Sequence, residues 1–192
     1  MRISAGTAKG RPTATQKLLK KTSDGERLRP TSSKVREAIF DILRGRMEGA
    51  SFVDLYAGTG TVGMEALSRG ADSAIFVEPD EFRVNSIREN LARLGFGRRA
   101  VVVRGKADEF LASAAERRES YDIFFVDPPY SSEEGGKITT MIDKMGLLND
   151  EGVVIIEHFF KMEFPEKIES LRMHKRYRYG DTTLSLYRKA RA

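Results

Sequence analysis

Residues 51–63 read Ser51-Phe52-Val53-Asp54-Leu55-Tyr56-Ala57-Gly58-Thr59-Gly60-Thr61-Val62-Gly63. The stretch 51–57 is short and mostly apolar, as a strand covered on both faces must be. Helical character resumes at 61–69. Gly58 and Gly60 lie between, where a chain turning from strand to helix needs backbone freedom. The same alternation continues downstream. Strands are predicted at 74–77, 100–104, 121–126 and 152–157. Helices are predicted at 80–94, 108–117 and 134–146. Alternating strands and helices make an α/β fold with a doubly wound, mostly parallel, Rossmann-like sheet. The last segment has a different pattern. Residues 173–179 and 182–188 alternate polar and apolar around Gly180-Asp181, as in an antiparallel hairpin.

Upstream of the strand, Pro30 precedes the capping residues Thr31-Ser32-Ser33, and Val35, Ile39, Ile42 and Leu43 follow at helical spacing. A helix is predicted over 32–45. Lys34 and Arg36 fall in its first turn, where the helix dipole disfavours cations; an anionic ligand nearby would relieve that cost. Residues 1–30 have little periodicity and read as a basic N-terminal arm. Residues 31–192 read as a single domain.

The chain has 192 residues and a formal net charge of +5. The charge is unevenly spread. Residues 1–46 carry a net +8, residues 47–166 a net −9, and residues 167–192 a net +6. Basic ends suit a polyanion such as RNA, since each cation releases a condensed counterion. Cysteine is absent and there are two histidines. That excludes disulfides, thiolate metal sites and the cysteine nucleophile of pyrimidine C5 methylation; no metal is expected. No transmembrane run or signal peptide is apparent, so a cytoplasmic protein without membrane contact is expected.

Gly58, Gly60 and Gly63 match the G-x-G-x-x-G fingerprint, and Glu78 follows Gly58 by twenty residues, where an acid binds ribose hydroxyls. Dinucleotides and S-adenosylmethionine both fit this pattern. Asp54 separates them. A carboxylate before the loop repels a pyrophosphate, but it suits a ligand whose near end carries an ammonium and a sulfonium. The charge logic favours S-adenosylmethionine.

The fourth predicted strand runs into Asp127-Pro128-Pro129-Tyr130. In open α/β sheets ligands bind outside the carboxyl ends of the strands, which is expected to put Asp127 near the glycine loop. The prolines fix φ and remove two donors, while their carbonyls remain acceptors. A carboxylate, a rigid carbonyl and an aromatic ring together suit an exocyclic amino group on a flat base. Asp127 and the Pro128 carbonyl accept its two N–H hydrogens, and Tyr130 stacks on the ring. The assigned catalytic set is Asp127, Pro128, Pro129 and Tyr130.

These motifs, in this order, resemble the class I methyltransferases that act on exocyclic nitrogen. More closely, Lys9-Gly10-Arg11, Leu28-Arg29-Pro30-Thr31, Val35-Arg36-Glu37, Asp54–Gly60 and Phe76-Val77-Glu78 resemble the landmarks of the ribosomal small-subunit methyltransferase D family. The resemblance covers nearly the whole chain. It implies a seven-stranded sheet whose seventh strand is antiparallel. It implies S-adenosylmethionine as donor and N2 of a guanine in 16S rRNA near the ribosomal P site, guanine 966, as acceptor. The partner would be the small ribosomal subunit, with the protein acting as a monomer. By position, Asp54, Tyr56, Gly58, Thr59, Gly60 and Glu78 would bind the cofactor. Lys9, Arg11, Arg29, Thr31, Lys34 and Arg36 would meet RNA. One departure concerns the adenine end. Where the family carries Gly-Asp-Ala, this chain has Gly105-Lys106-Ala107-Asp108. Either Asp108 supplies the carboxylate or the backbone at Ala107 reads the base.

Rival readings are methylation of a 23S rRNA guanine, a DNA adenine or a protein glutamine. A dinucleotide-dependent oxidoreductase and a non-catalytic RNA-binding protein are rivals of another class.

Overall fold

The computed structural model describes residues 1–13, 31–128 and 132–190. The chain forms two compact units, Met1–Gly105 and Lys106–Ala192.

In the first unit, α1 (Ser33–Ile42) starts at Ser32, whose hydroxyl accepts from the Val35 N–H at 3.2 Å. Three parallel strands follow: β1 (Ser51–Asp54), β2 (Ser73–Glu78) and β3 (Ala100–Arg104). β2 lies in the middle, with Val53 opposite Ile75 and Phe76 opposite Val102. Helix α2 (Thr61–Ser68) packs against β1 and β2, and α3 (Glu81–Leu94) against β2 and β3. All eight residues of α2 are buried, so it is a core helix rather than an amphipathic one. Asp80 caps α3 by accepting from the Arg83 N–H, and Gly95 ends it at φ +80°.

Residues 1–13 are tied down. Arg2 and Pro12 form an antiparallel bridge, and Ile3 and Ala8 are buried. The N-terminal arm is therefore anchored over its first thirteen residues; 14–30 lie outside the described residues. The anchor is Glu65 of α2, with no exposed surface. Its carboxylate accepts from the Ser4 N–H (2.8 Å), the Ser4 hydroxyl (2.6 Å) and the Ala5 N–H (3.0 Å).

The second unit contains α4 (Ala107–Glu116), β4 (Tyr121–Val126), α5 (Ser132–Lys144), β5 (Leu148–Phe159), β6 (Lys167–Ile168), β7 (Leu171–Tyr179) and β8 (Thr182–Lys189). β4 and β5 are parallel, with Val126 opposite Ile156. β8 runs antiparallel to β5 and to β7, so the predicted hairpin closes with its second strand against β5. Phe124, Phe125 and Tyr187 fill the core. The strands number eight among the described residues, not the seven that the resemblance implied. The addition is β6, two residues on the free side of β7. A pair that short has no readable periodicity.

Candidate active site

In the first unit, the glycine loop leaves β1 and enters α2. Gly58 has φ +52° and Gly60 φ +71°, backbone that side-chain-bearing residues rarely adopt. Gly63 serves another purpose. A Cβ there would come within 2.3 Å of the Phe76 ring, so this glycine allows α2 to press on β2. The third fingerprint position is thus a packing position.

Glu78 ends β2 and is buried. One carboxylate oxygen accepts from the Gly58 N–H at 2.8 Å, and the other from the Asp80 N–H at 3.0 Å. Arg83 reaches the second oxygen at 3.4 Å. Burial raises the Glu78 carboxyl above its usual range, opposed by the Asp80 N–H, the Arg83 guanidinium and the Gly58 N–H. The predicted acid and glycine loop are therefore brought together. Arg83 was not foreseen; its signal was a cation five residues after the acid, in the first turn of a helix. Asp54 is 1 % exposed, Tyr56 is half-buried, and the Thr59 and Thr61 hydroxyls share a buried hydrogen bond of 2.8 Å. Two buried carboxylates at a glycine turn with left-handed backbone fit a ligand with a ribose diol and a cationic end. Glu78 suits the ribose of either cofactor class; Asp54, buried at the end of β1, is the carboxylate that disfavours a pyrophosphate.

In the second unit, Asp127 follows the last residue of β4. Burial pushes its carboxyl from the ordinary 3.8 up to about 7. Pro128 follows it, half-buried. Pro129 and Tyr130 lie outside the described residues. Ala107 is buried at the start of α4. Asp108 accepts from the Glu109 N–H at 3.0 Å and stands 3.9 Å from the Lys137 ammonium.

The residues assigned to RNA divide. Lys9 and Lys34 are exposed and Thr31 is half-buried; Arg29 lies outside the described residues. Arg36 corrects the expectation of an RNA-facing cation. It is 3 % exposed, lies 3.6 Å from Glu65 and donates to the Arg2 carbonyl at 2.9 Å. The charge that faces Arg36 is thus Glu65 of the same chain and not an anionic ligand. Arg11 donates to the Leu94 carbonyl at 3.1 Å and to that of Arg93, the orphan carbonyls at the end of α3. Its guanidinium therefore caps that helix while the residue stays exposed.

His158 accounts for itself as a packed residue. Nδ1 lies 3.0 Å from the Phe159 carbonyl and Nε2 2.9 Å from the Ser185 hydroxyl. A neutral ring donating from Nδ1 and accepting at Nε2 satisfies both, and burial lowers its pKa accordingly. Among the described residues, no group of three or more metal-ligating side chains is assembled, and no helix is long and apolar enough to cross a membrane.

The family model described as conserved hypothetical protein 95 matches residues 1–188. The chain is 35% identical over 189 residues to the putative rRNA methyltransferase YlbH of Bacillus subtilis, covering 98% of this chain and 99% of that protein. It is 32% identical over 166 residues to ribosomal RNA small subunit methyltransferase D of Escherichia coli K12, covering 86% and 82%. Among solved structures, the putative methyltransferase yhhF from E. coli superposes with a TM-score of 0.81 at 28% identity, covering 100% of this chain and 99% of that one. An RNA methyltransferase from Salinibacter ruber, solved with S-adenosyl-L-homocysteine, has a TM-score of 0.66 at 15% identity, covering 85% and 96%. That last likeness establishes the shared fold.

Proposed function

The chain belongs to the conserved hypothetical protein 95 family, that of ribosomal RNA small subunit methyltransferase D, and from this membership we propose that it is an S-adenosylmethionine-dependent rRNA methyltransferase acting on a guanine N2 of 16S rRNA. The observation that carries the amino specificity is Asp127, a desolvated carboxyl at the end of β4 followed by a proline carbonyl.

A guanine amino group is a poor nucleophile because its lone pair is delocalised into the ring. The Asp127 carboxylate accepts one N–H and the Pro128 carbonyl the other. That holds the nitrogen with its lone pair free to attack and favours positive charge developing on it. When bound, S-adenosylmethionine supplies a methyl group already activated by its sulfonium. Glu78, oriented by Gly58, Asp80 and Arg83, would accept from the ribose hydroxyls; Asp54 would face the cationic end. Asp108 or the Ala107 backbone would read the adenine. After transfer, the nitrogen carries a surplus proton. An Asp127 carboxyl titrating near 7 takes it at a carboxylate oxygen and passes it to water.

The substrate is taken to be the small ribosomal subunit, with guanine 966 as the target and the protein acting as a monomer. Family membership and the exposed cations of β7 support this reading. The test is tritium transfer from labelled S-adenosylmethionine to small subunits from cells lacking the activity, with naked 16S rRNA beside them. N2-methylguanine at one 16S position is the expected product. Label on 23S rRNA, DNA or protein glutamine instead, with 16S rRNA blank, overturns the substrate assignment.

A further inference from the structure

The last residues of β5, together with β7 and β8, carry a group of side chains that neither the hydrophobic core nor the proposed chemistry uses. Cross-strand register places Phe159, Thr182 and Tyr179 in one row across three strands, and Glu157, Leu184 and Tyr177 in the row two residues back. Partners in register share a sheet face, so Phe159, Tyr177 and Tyr179 stand on the same face. Phe159 is 44 % exposed, one of four large apolar side chains exposed among the described residues. Tyr177 and Tyr179 are half-buried.

Cations accompany these rings. The exposed Lys175 holds its ammonium 4.9 Å from the centre of the Tyr177 ring. Phe160 packs against Phe159 at 4.8 Å between ring centres and carries the exposed Arg178 guanidinium 4.0 Å above its own ring; Arg178 pairs with Thr183 in the alternate row, so it stands at the rim of the aromatic face rather than on it. Stacked cations of this kind are held in place but keep donors for a ligand. Their position matters as well. Val126, the residue before Asp127, pairs with Ile156, so Glu157–Phe159 run on past the end of β4. The aromatic rows lie at the same end of the sheet as Asp127, within one unit.

We propose that Phe159, Tyr177 and Tyr179 form a stacking platform for unpaired nucleotides flanking the target guanine, with Lys175 and Arg178 on the adjoining phosphates. An exposed ring beside an ordered cation suits single-stranded RNA, because every base has a stackable face and every linkage a charge. Charge favours a polyanion over a protein partner: β7 carries Arg172, Lys175, Arg176 and Arg178 over its two faces and no acid, against Glu157 in the aromatic rows. This inference rests on the RNA-methylating reading and assigns its RNA-gripping surface.

The test is filter binding of full-length 16S rRNA to the intact protein across a salt series, with S-adenosylmethionine binding followed by calorimetry. The variants are Phe159→Ala with Tyr179→Ala, and separately Lys175→Gln with Arg178→Gln. The expected result is about a tenfold loss of RNA affinity in the aromatic variant, for one or two lost stacking contacts. The cation variant should flatten the salt dependence by about two phosphate contacts. Cofactor binding should be unchanged in both, which also reports that they fold. Wild-type RNA affinity and salt slope in both variants overturn the platform and leave the methyltransferase reading standing. Loss of cofactor binding in parallel with RNA affinity overturns it as well, since the rings would then be supporting the fold. A wild-type protein that methylates DNA or protein but does not retain 16S rRNA overturns both readings. Capture of a ribosomal protein by the wild type alone, with RNA affinity equal in all variants, would reassign the face to protein.

Discussion

The two ends of the chain carry similar excesses of positive charge and use it differently. Near the N-terminus, Arg11 caps α3, Arg36 is buried beside Glu65, and Arg2 donates to the Gly10 carbonyl at 2.6 Å. These cations serve the fold. Near the C-terminus, Lys175 and Arg178 lie over aromatic rings on an exposed strand. These remain available to a polyanion. A charge count treats the ends alike; burial and the nature of the acceptors separate them. A guanidinium buried against a carboxylate, as in Arg36, is out of reach of a phosphate, and Arg11 already spends two of its five donors on α3. Arg178, stacked on a ring, spends one donor on the Gly180 carbonyl at 3.0 Å and keeps the other four.

The comparison breaks most easily at Glu65. Glu65→Ala would strand Arg36 and leave the Ser4 and Ala5 N–H groups without their acceptor. The expected loss is about 3–5 kcal/mol, read as a shifted urea midpoint. A shift below about 1 kcal/mol would mean that the N-terminal cations are not committed to the fold after all.

A carboxyl required by a site rather than by the fold should behave in the opposite sense. Asp127 has a raised folded pKa, so the folded protein holds a proton between about pH 4 and 7 that the unfolded chain releases. Stability from this group therefore falls as pH rises through that window and levels off above about 7. Asp127→Asn removes the cost of the buried charge. It should raise stability at pH 8 by about 1–3 kcal/mol, less than the full pKa span because the residue is half-buried. The gain should vanish near pH 4. Urea unfolding at the two pH values checks both signs.

Smaller effects sharpen the contrast. Arg11→Ala should cost about 1 kcal/mol through the lost cap on α3, with an unchanged salt slope for rRNA binding. Lys175→Gln should leave the urea midpoint within about 0.5 kcal/mol and lower the salt slope by about one. The same pair of measurements on the two variants, crossed in outcome, is the pattern that supports the division.

Much of the fold was legible because its signals are local. The strand at 121–126 and the strand at 100–104 match residue for residue, since short β-branched runs bounded by turns have one reading. The glycine loop and Glu78 were legible because spacing on a strand–turn–helix unit fixes their meeting, and the 2.8 Å contact bears this out. Contacts between distant segments were not legible. Nothing around Glu65 announces that residues 4 and 5 will close on it sixty positions away. Arg36 is not an RNA-facing cation for that reason: a sequence shows charge but not the partner that consumes it. The aromatic rows were hidden because Phe159, Tyr177 and Tyr179 meet only through the register of three strands.

The most direct measurement pairs cofactor binding with methyl transfer in Asp127→Asn. Asparagine keeps the size and removes the charge that holds the amino hydrogens and takes the released proton. Calorimetry should return wild-type affinity for S-adenosylmethionine, while tritium transfer to small subunits falls by about a hundredfold or more, as for loss of a group that acts in the transition state. Transfer at the wild-type rate with cofactor binding intact would contradict the role of Asp127 and, with it, the amino-directed reading of this site.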